Sequence, residues 1–190
     1  PLDMLELEVG YGLINIVDSD QSGDLLERIV SIRKQFAMDL GIVVPSVHIR
    51  DNLQLKPGEY QLLIKGVKVA GGELMADHYL AMDPGNTTKK IDGVNTTEPA
   101  FGLPALWISK AQKEEAEIAG YTVVDLPTVI ATHLTEIIRT HAHELLGRQE
   151  AQRLLETFQK TNPKVVEELV PNVLPLGGVV RVMQNLLREQ

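Results

Sequence analysis

Residues 105–126 read ALWISKAQKEEAEIAGYTVVDL. Ala105 to Ile108 is a short apolar run of strand length. KAQKEEAEIA is then rich in helix-forming residues and charge, and Gly120 supplies a natural helix stop. Tyr121 to Leu126 returns to β-branched and apolar residues. A strand, an exposed helix and a second strand in this order predict a βαβ-like unit, the seed of a small α/β subdomain.

Working outward from that unit, HYLAM at 78–82 predicts another strand. Residues 83–102 are rich in Gly, Thr, Pro, Asn and Asp and predict a long exposed loop, with Gly71-Gly72 and Pro84-Gly85 as turn dipeptides. Earlier in the chain SVHIRD, EYQLLIK and VKVAG are strand candidates, the last two joined by a tight reversal at Lys65-Gly66-Val67. LELEV at 5–9 alternates apolar and acidic residues, as a half-buried strand does. Between them, residues 23–40 carry Leu25, Leu26, Ile29, Ile32, Phe36 and Leu40 at helical spacing. Ser22 is positioned as the N-cap of this helix and Gly41 as its stop.

From Pro127 the pattern is helical. Val129, Ile130, Leu134, Ile137, Ile138, Leu145 and Leu146 form one apolar face, closed by Gly147. Further helices are expected around 151–158, between Pro163 and Pro171, and from about Val179. The expected fold class is therefore mixed α+β and α/β in several subdomains: an α/β unit interrupted by a smaller inserted α/β unit, then an all-α part. No internal repeat is evident.

The 190 residues are 44% apolar and 23% charged, the balance of a folded domain, and carry a net charge of −8. That charge, with basic residues dispersed along the chain, argues against nucleic acid and against anionic membrane surfaces. With no cysteine there is no disulfide, thiolate metal site or cysteine nucleophile. No apolar run reaches the ~18 residues needed to span a bilayer, and PLDMLELEV is not a signal peptide. A chain that begins at Pro1 and ends within a helical pattern is expected to be part of a longer one.

Enzyme chemistry finds little support. His133, His141 and His143 share one helical stretch, but two residues subtend about 200° on a helix, so His141 and His143 cannot chelate from one face. They read as packing or solvated side chains, and no metal or cofactor is expected. His48-Ile-Arg50-Asp51-Asn52 is similar to a kinase catalytic loop, yet its Asn spacing is wrong and the Gly-rich loop and Asp-Phe-Gly are missing. Arg50 and Asp51 are expected to form an ion pair or turn contact at a strand end. No phosphate-binding glycine motif and no GxSxG is present. Glu114-Glu115 and Glu167-Glu168 point different ways on their helices.

One segment remains unexplained by packing alone: NTTEPAFGLPALW at 95–107. The chain has three Phe, four Tyr and one Trp, and two of these scarce aromatics lie here. Trp107, within a strand, is expected in the core. Phe101, between Pro99 and Gly102 and close to acidic Glu98, sits in a constrained loop. Such a loop either plugs a core or offers a rigid anchor to a protein partner.

Three longer stretches carry a resemblance: residues 31–52 (SIRKQFAMDLGIVVPSVHIRDN), 98–108 (EPAFGLPALWI) and 131–150 (ATHLTEIIRTHAHELLGRQE). In order and spacing they closely resemble the cytosolic region of the FHIPEP family of type III secretion export-gate proteins. That family has flagellar and virulence members. PAFGLPA and HELLGRQE lean to the flagellar branch.

The resemblance implies a non-enzymatic role in protein transport: the cytosolic part of a polytopic bacterial inner-membrane protein, docking export chaperones with their cargo and ordering substrate export. It implies further partners in the soluble export ATPase complex, and self-association of the full-length protein into a nonameric ring. The division it implies is residues 1–77 plus 125–147 for the first subdomain, 78–124 for the insertion and 148–190 for a truncated helical subdomain. The family's chaperone site would fall on Glu98, Phe101 and Thr132, with Pro99, Ala100, Leu103 and His133 as lining residues. Glu98 stands where some members carry aspartate. The alternative expectation is a structural ring-forming subunit of a virulence export gate, with Phe101 in the core.

Overall fold

The computed structural model describes residues 4–17, 24–145 and 156. The chain divides into two compact units, Pro1–Ile29 with Val47–Leu134, and Val30–Ser46 with Thr135–Gln190. In order, the elements are β1 (Leu5–Val9), α1 (Ile14–Val17), α2 (Asp24–Leu40), β2 (Val47–Asp51), β3 (Glu59–Ile64), β4 (Val67–Glu73) and β5 (His78–Met82). These are followed by β6 (Val94–Thr97), β7 (Pro104–Ser109), α3 (Lys113–Ile118), β8 (Thr122–Val124), α4 (Leu126–Thr140) and α5 (Ala142–Leu145). Among the described residues no helix is long and apolar enough to cross a membrane.

The first unit holds two four-stranded sheets, ordered β2-β1-β3-β4 and β6-β7-β5-β8. In the first sheet β1 is parallel to β2 and antiparallel to β3. Register sets Leu5, Leu7 and Val9 opposite Ile64, Leu62 and Tyr60, and all six are buried. Period-two alternation puts Glu6 and Glu8 on the other face. That face is partly covered: Glu6 is buried and receives Arg50 Nη2 at 2.8 Å. Glu8 accepts from Asn52 Nδ2 at 3.1 Å and Gln61 Nε2 at 2.5 Å. The expected Arg50–Asp51 contact is thus replaced by a bridge to β1, whose central place in the sheet puts Glu6 within reach of Arg50.

The β3–β4 reversal forms as expected, with Lys65 at φ 51° and Gly66 at φ 79°, the two positive angles that a two-residue hairpin turn requires. Gly71-Gly72 is not a turn. Both residues lie in β4, Gly72 opposite Tyr60, and a Cβ on Gly72 would come within 2.9 Å of the Tyr60 ring and hydroxyl. The glycine is there because the ring lies over it.

In the second sheet β7 and β8 both pair antiparallel with β5. The βαβ-like unit is therefore split, with β5 inserted between its two strands. Ala81, Ile91, Ile108, Ala116, Ala119 and Tyr121 pack as one buried cluster, bringing α3 onto one face of this sheet. Leu80, Ala105 and Trp107 are buried from the other. Residues 83–102 are not all loop, since β6 forms within them and pairs along β7. VNTT has no apolar alternation because it is an outer strand with exposed side chains.

In the second unit Phe36, Ile42, Val44, Ile137, Ile138 and Ala142 are buried. Gly41, at φ 67°, ends α2 by donating its N–H to Ala37 at 3.1 Å. The long apolar helix breaks at His141, so α5 is a separate turn. This break brings the His141 and His143 rings into a stack, 6.4 Å between centroids. Among the described residues no group of three His, Cys, Asp or Glu could hold a metal ion. Ser22, Leu146, Gly147 and, apart from Glu156, the helices expected beyond 148 lie outside the described residues.

Candidate functional site

Phe101 lies at the tip of a β-hairpin. β6 ends at Thr97 and β7 begins at Pro104, so Glu98 to Leu103, six residues, connect them. Two backbone bonds close the connection: Glu98 N–H donates to Leu103 O at 2.7 Å, and Gly102 N–H donates to Glu98 O at 2.9 Å. Gly102 adopts φ 72°, which glycine reaches without strain. Pro99 fixes one further dihedral, so little freedom remains in the turn.

Glu98 completes the closure. Its Oε1 accepts the Ala100 N–H at 2.7 Å and its Oε2 accepts the Phe101 N–H at 2.8 Å. The residue is only 4% exposed. Charge-assisted bonds from two backbone donors account for a buried carboxylate that would otherwise be costly. Phe101, by contrast, is 55% exposed and Leu103 50%, with Pro99 and Ala100 half-buried. The Phe101 side chain is not part of the core.

Thr132 and His133 sit on α4, and Thr132 is half-buried. His133 is buried, and its Nδ1 lies 2.5 Å from the hydroxyl of the fully buried Tyr60. The two rings meet edge to face, 5.7 Å between centroids. Burial holds the His133 imidazole below its usual pKa, and the negative charge of Glu98 partly opposes that shift. Burial also pushes the Tyr60 phenol well above its usual range, and Glu98 adds to the rise. Near neutral pH both rings are therefore uncharged and share one hydrogen bond.

The predicted site residues thus separate by role. Pro99, Ala100, Phe101 and Leu103 form an uncharged tip; Glu98 is folded into the turn; His133 is buried with Tyr60. Sequence reasoning did not single out Tyr60. The one signal for it was the Gly71-Gly72 pair, whose missing side chains make room for an aromatic ring on the neighbouring strand.

The comparisons with known proteins converge. The FHIPEP family model matches residues 1–190. Over 189 residues the chain is 53% identical to the flagellar biosynthesis protein FlhA of Bacillus subtilis, covering 100% of this chain and 28% of that protein. The Escherichia coli FlhA is 50% identical over 188 residues, with 27% of its length covered. The chain therefore spans little more than a quarter of these relatives. The solved Chlamydia pneumoniae CdsV protein superposes with a TM-score of 0.69 at 25% identity, covering 100% of this chain and 55% of that one. The nonameric EPEC SctV-C shares the fold, with a TM-score of 0.61 at 19% identity over 99% of this chain and 55% of that one. Matched from end to end by the family model, and half identical to flagellar members, the chain belongs to the FHIPEP family.

Proposed function

We propose that this chain is the docking part of the cytosolic region of a flagellar type III export gate, and that the Phe101 hairpin receives export chaperones carrying their cargo. The observation that carries the reading is the exposed phenylalanine at the tip of a hairpin fastened from inside. A rigid apolar anchor loses little conformational entropy when a partner covers it. An amphipathic chaperone helix laying its apolar face on the tip is the recognition mode it suits. The identity to flagellar relatives supports the flagellar setting over the virulence one.

The same reading puts the chain on the cytoplasmic side of an inner-membrane protein, without catalysis of its own. It extends to components of the export ATPase complex as further partners and to ring assembly of the full-length protein, the nonameric state being the one named for EPEC SctV-C. It also keeps residues 78–124 as an inserted subdomain. The support for this is that β5, β6, β7 and β8, which make up the second sheet, lie between His78 and Val124.

The test is a calorimetric titration of the 190-residue chain with a flagellar chaperone–cargo complex, for wild type and Phe101→Ala. A docking anchor costs ~2 kcal/mol or more of binding on truncation. Unchanged affinity in a correctly folded variant would remove the hairpin from the docking surface.

A further inference from the structure

We infer that Glu98 is a positioning residue and not a contact: its carboxylate is spent inside the hairpin, and the partner of Phe101 is recognised by apolar contact without a counter-charge. This rests on the docking reading above. A solvent-facing acid beside an exposed aromatic would offer a negative charge to a basic partner residue. The geometry points the other way. Both carboxylate oxygens accept backbone N–H groups, from Ala100 and Phe101, and the residue is all but excluded from solvent. Its own N–H and C=O are taken by Leu103 and Gly102.

What the tip itself presents is free of charge. Residues 99–108, PAFGLPALWI, contain no ionisable side chain, and the exposed large side chains of the tip are Phe101 and Leu103. A partner segment that fits offers an apolar or aromatic side chain to this tip. A lysine or arginine placed there would lose hydration and find no carboxylate among the tip residues in return. Glu98 acts through Phe101, since the bond to the Phe101 N–H fixes the backbone from which the ring projects.

The two roles separate in a variant series titrated with a flagellar chaperone–cargo complex at low and at about 1 M salt, where screening is nearly complete. Positioning predicts that Glu98→Asp binds within about twofold of wild type, because an aspartate also accepts from the N–H groups two and three residues on. Glu98→Gln turns an amide N–H₂ toward one of the two donors and weakens binding about tenfold. It adds nothing in a Phe101→Ala background, and wild-type affinity changes little with salt. A steep salt dependence that vanishes in Glu98→Gln, with losses that add to those of Phe101→Ala, would overturn the proposal and make Glu98 a charged contact. Amide exchange keeps it independent of the docking reading. If Phe101→Ala leaves binding unchanged, the docking reading fails, yet Ala100 and Phe101 amides protected in wild type and released in Glu98→Gln still establish positioning. Unprotected amides in wild type would refute it.

Discussion

Trp107 and Phe101 stand six positions apart on one hairpin, and the first is 5% exposed while the second is 55% exposed. Trp107 lies in β7 between β5 and β6, paired with Leu80 on one side and Val94 on the other. Phe101 lies beyond the end of both strands. Neither hydrophobicity nor size separates the two residues; what separates them is whether the backbone is held by neighbours or by its own turn. A paired strand delivers its side chain to the core. A hairpin tip closed by Gly102 and Glu98 delivers it to solvent, at a geometry the loop itself dictates.

The comparison breaks most visibly at Trp107. Trp107→Ala should destabilise the fold by ~3–5 kcal/mol, the range for emptying a large aromatic site. Urea denaturation should show the midpoint falling with an unchanged slope. A loss below about 1 kcal/mol would mean the strand side of the hairpin is not the anchored side, and the contrast would collapse.

Tyr60→Phe is the next largest. Removing the hydroxyl leaves buried His133 Nδ1 without the partner it has at 2.5 Å, a loss of ~1–3 kcal/mol. The pH dependence carries a sign for each ring. The folded-state pKa of His133 is lowered from 6.5, so below that value the unfolded chain takes up a proton the folded one resists. Stability from this group is complete above pH 6.5 and is lost as pH falls toward the folded value. Tyr60 is raised from 10.0, so its contribution is complete below pH 10.0 and is lost as pH rises past it. Wild type should therefore weaken at both ends, and Tyr60→Phe should lose the part of the alkaline decline due to the phenol. Identical alkaline limbs in the two proteins would show that Tyr60 titrates normally and is not sealed from solvent.

How much of this was legible beforehand depends on how far apart the deciding residues lie. β1, α2 and the β3–β4 hairpin were readable because their signals are local: alternation in LELEV, helical spacing from Leu25 to Leu40, a Lys-Gly turn. Trp107 in the core was readable for the same reason, being inside an apolar run. β6 was hidden because an edge strand such as VNTT buries little and needs no apolar alternation. The burial of Glu98 was hidden because an acid among prolines and glycines normally faces water; here it is buried and accepts the backbone donors of its own loop. Tyr60 and His133 are 73 positions apart, and only the completed fold brings them together. Gly71-Gly72 shows the limit well, since in a strand the reason for the glycine belongs to the neighbouring strand.

Gly102→Ala sharpens the comparison from the loop side. A Cβ at Gly102 meets nothing within 4 Å, so no clash is created. The backbone angle of 72° is one an alanine adopts at a cost of about 1 kcal/mol. A tip that relaxes to escape this cost must be restored on binding, so chaperone–cargo affinity should fall by up to about fivefold while the core stays intact. Equal binding by Gly102→Ala would mean that the anchor does not depend on a fixed turn.

Phe101→Ala should have the smallest effect on the fold and one of the largest on binding. The ring is over half exposed, and the bonds that shape its loop use backbone atoms and Glu98, none of which the substitution removes. A surface truncation of this kind changes stability by about 0.5 kcal/mol or less, against ~3–5 kcal/mol for a core aromatic. A Phe101→Ala variant unfolding several kcal/mol earlier than wild type would place the ring in a core contact, and the hairpin would then be two buried aromatics instead of one buried and one on offer. A variant with native stability and lost chaperone–cargo affinity would leave the exposed ring with one role, since a residue that contributes nothing to folding yet is fastened so closely is held in place for something outside the chain.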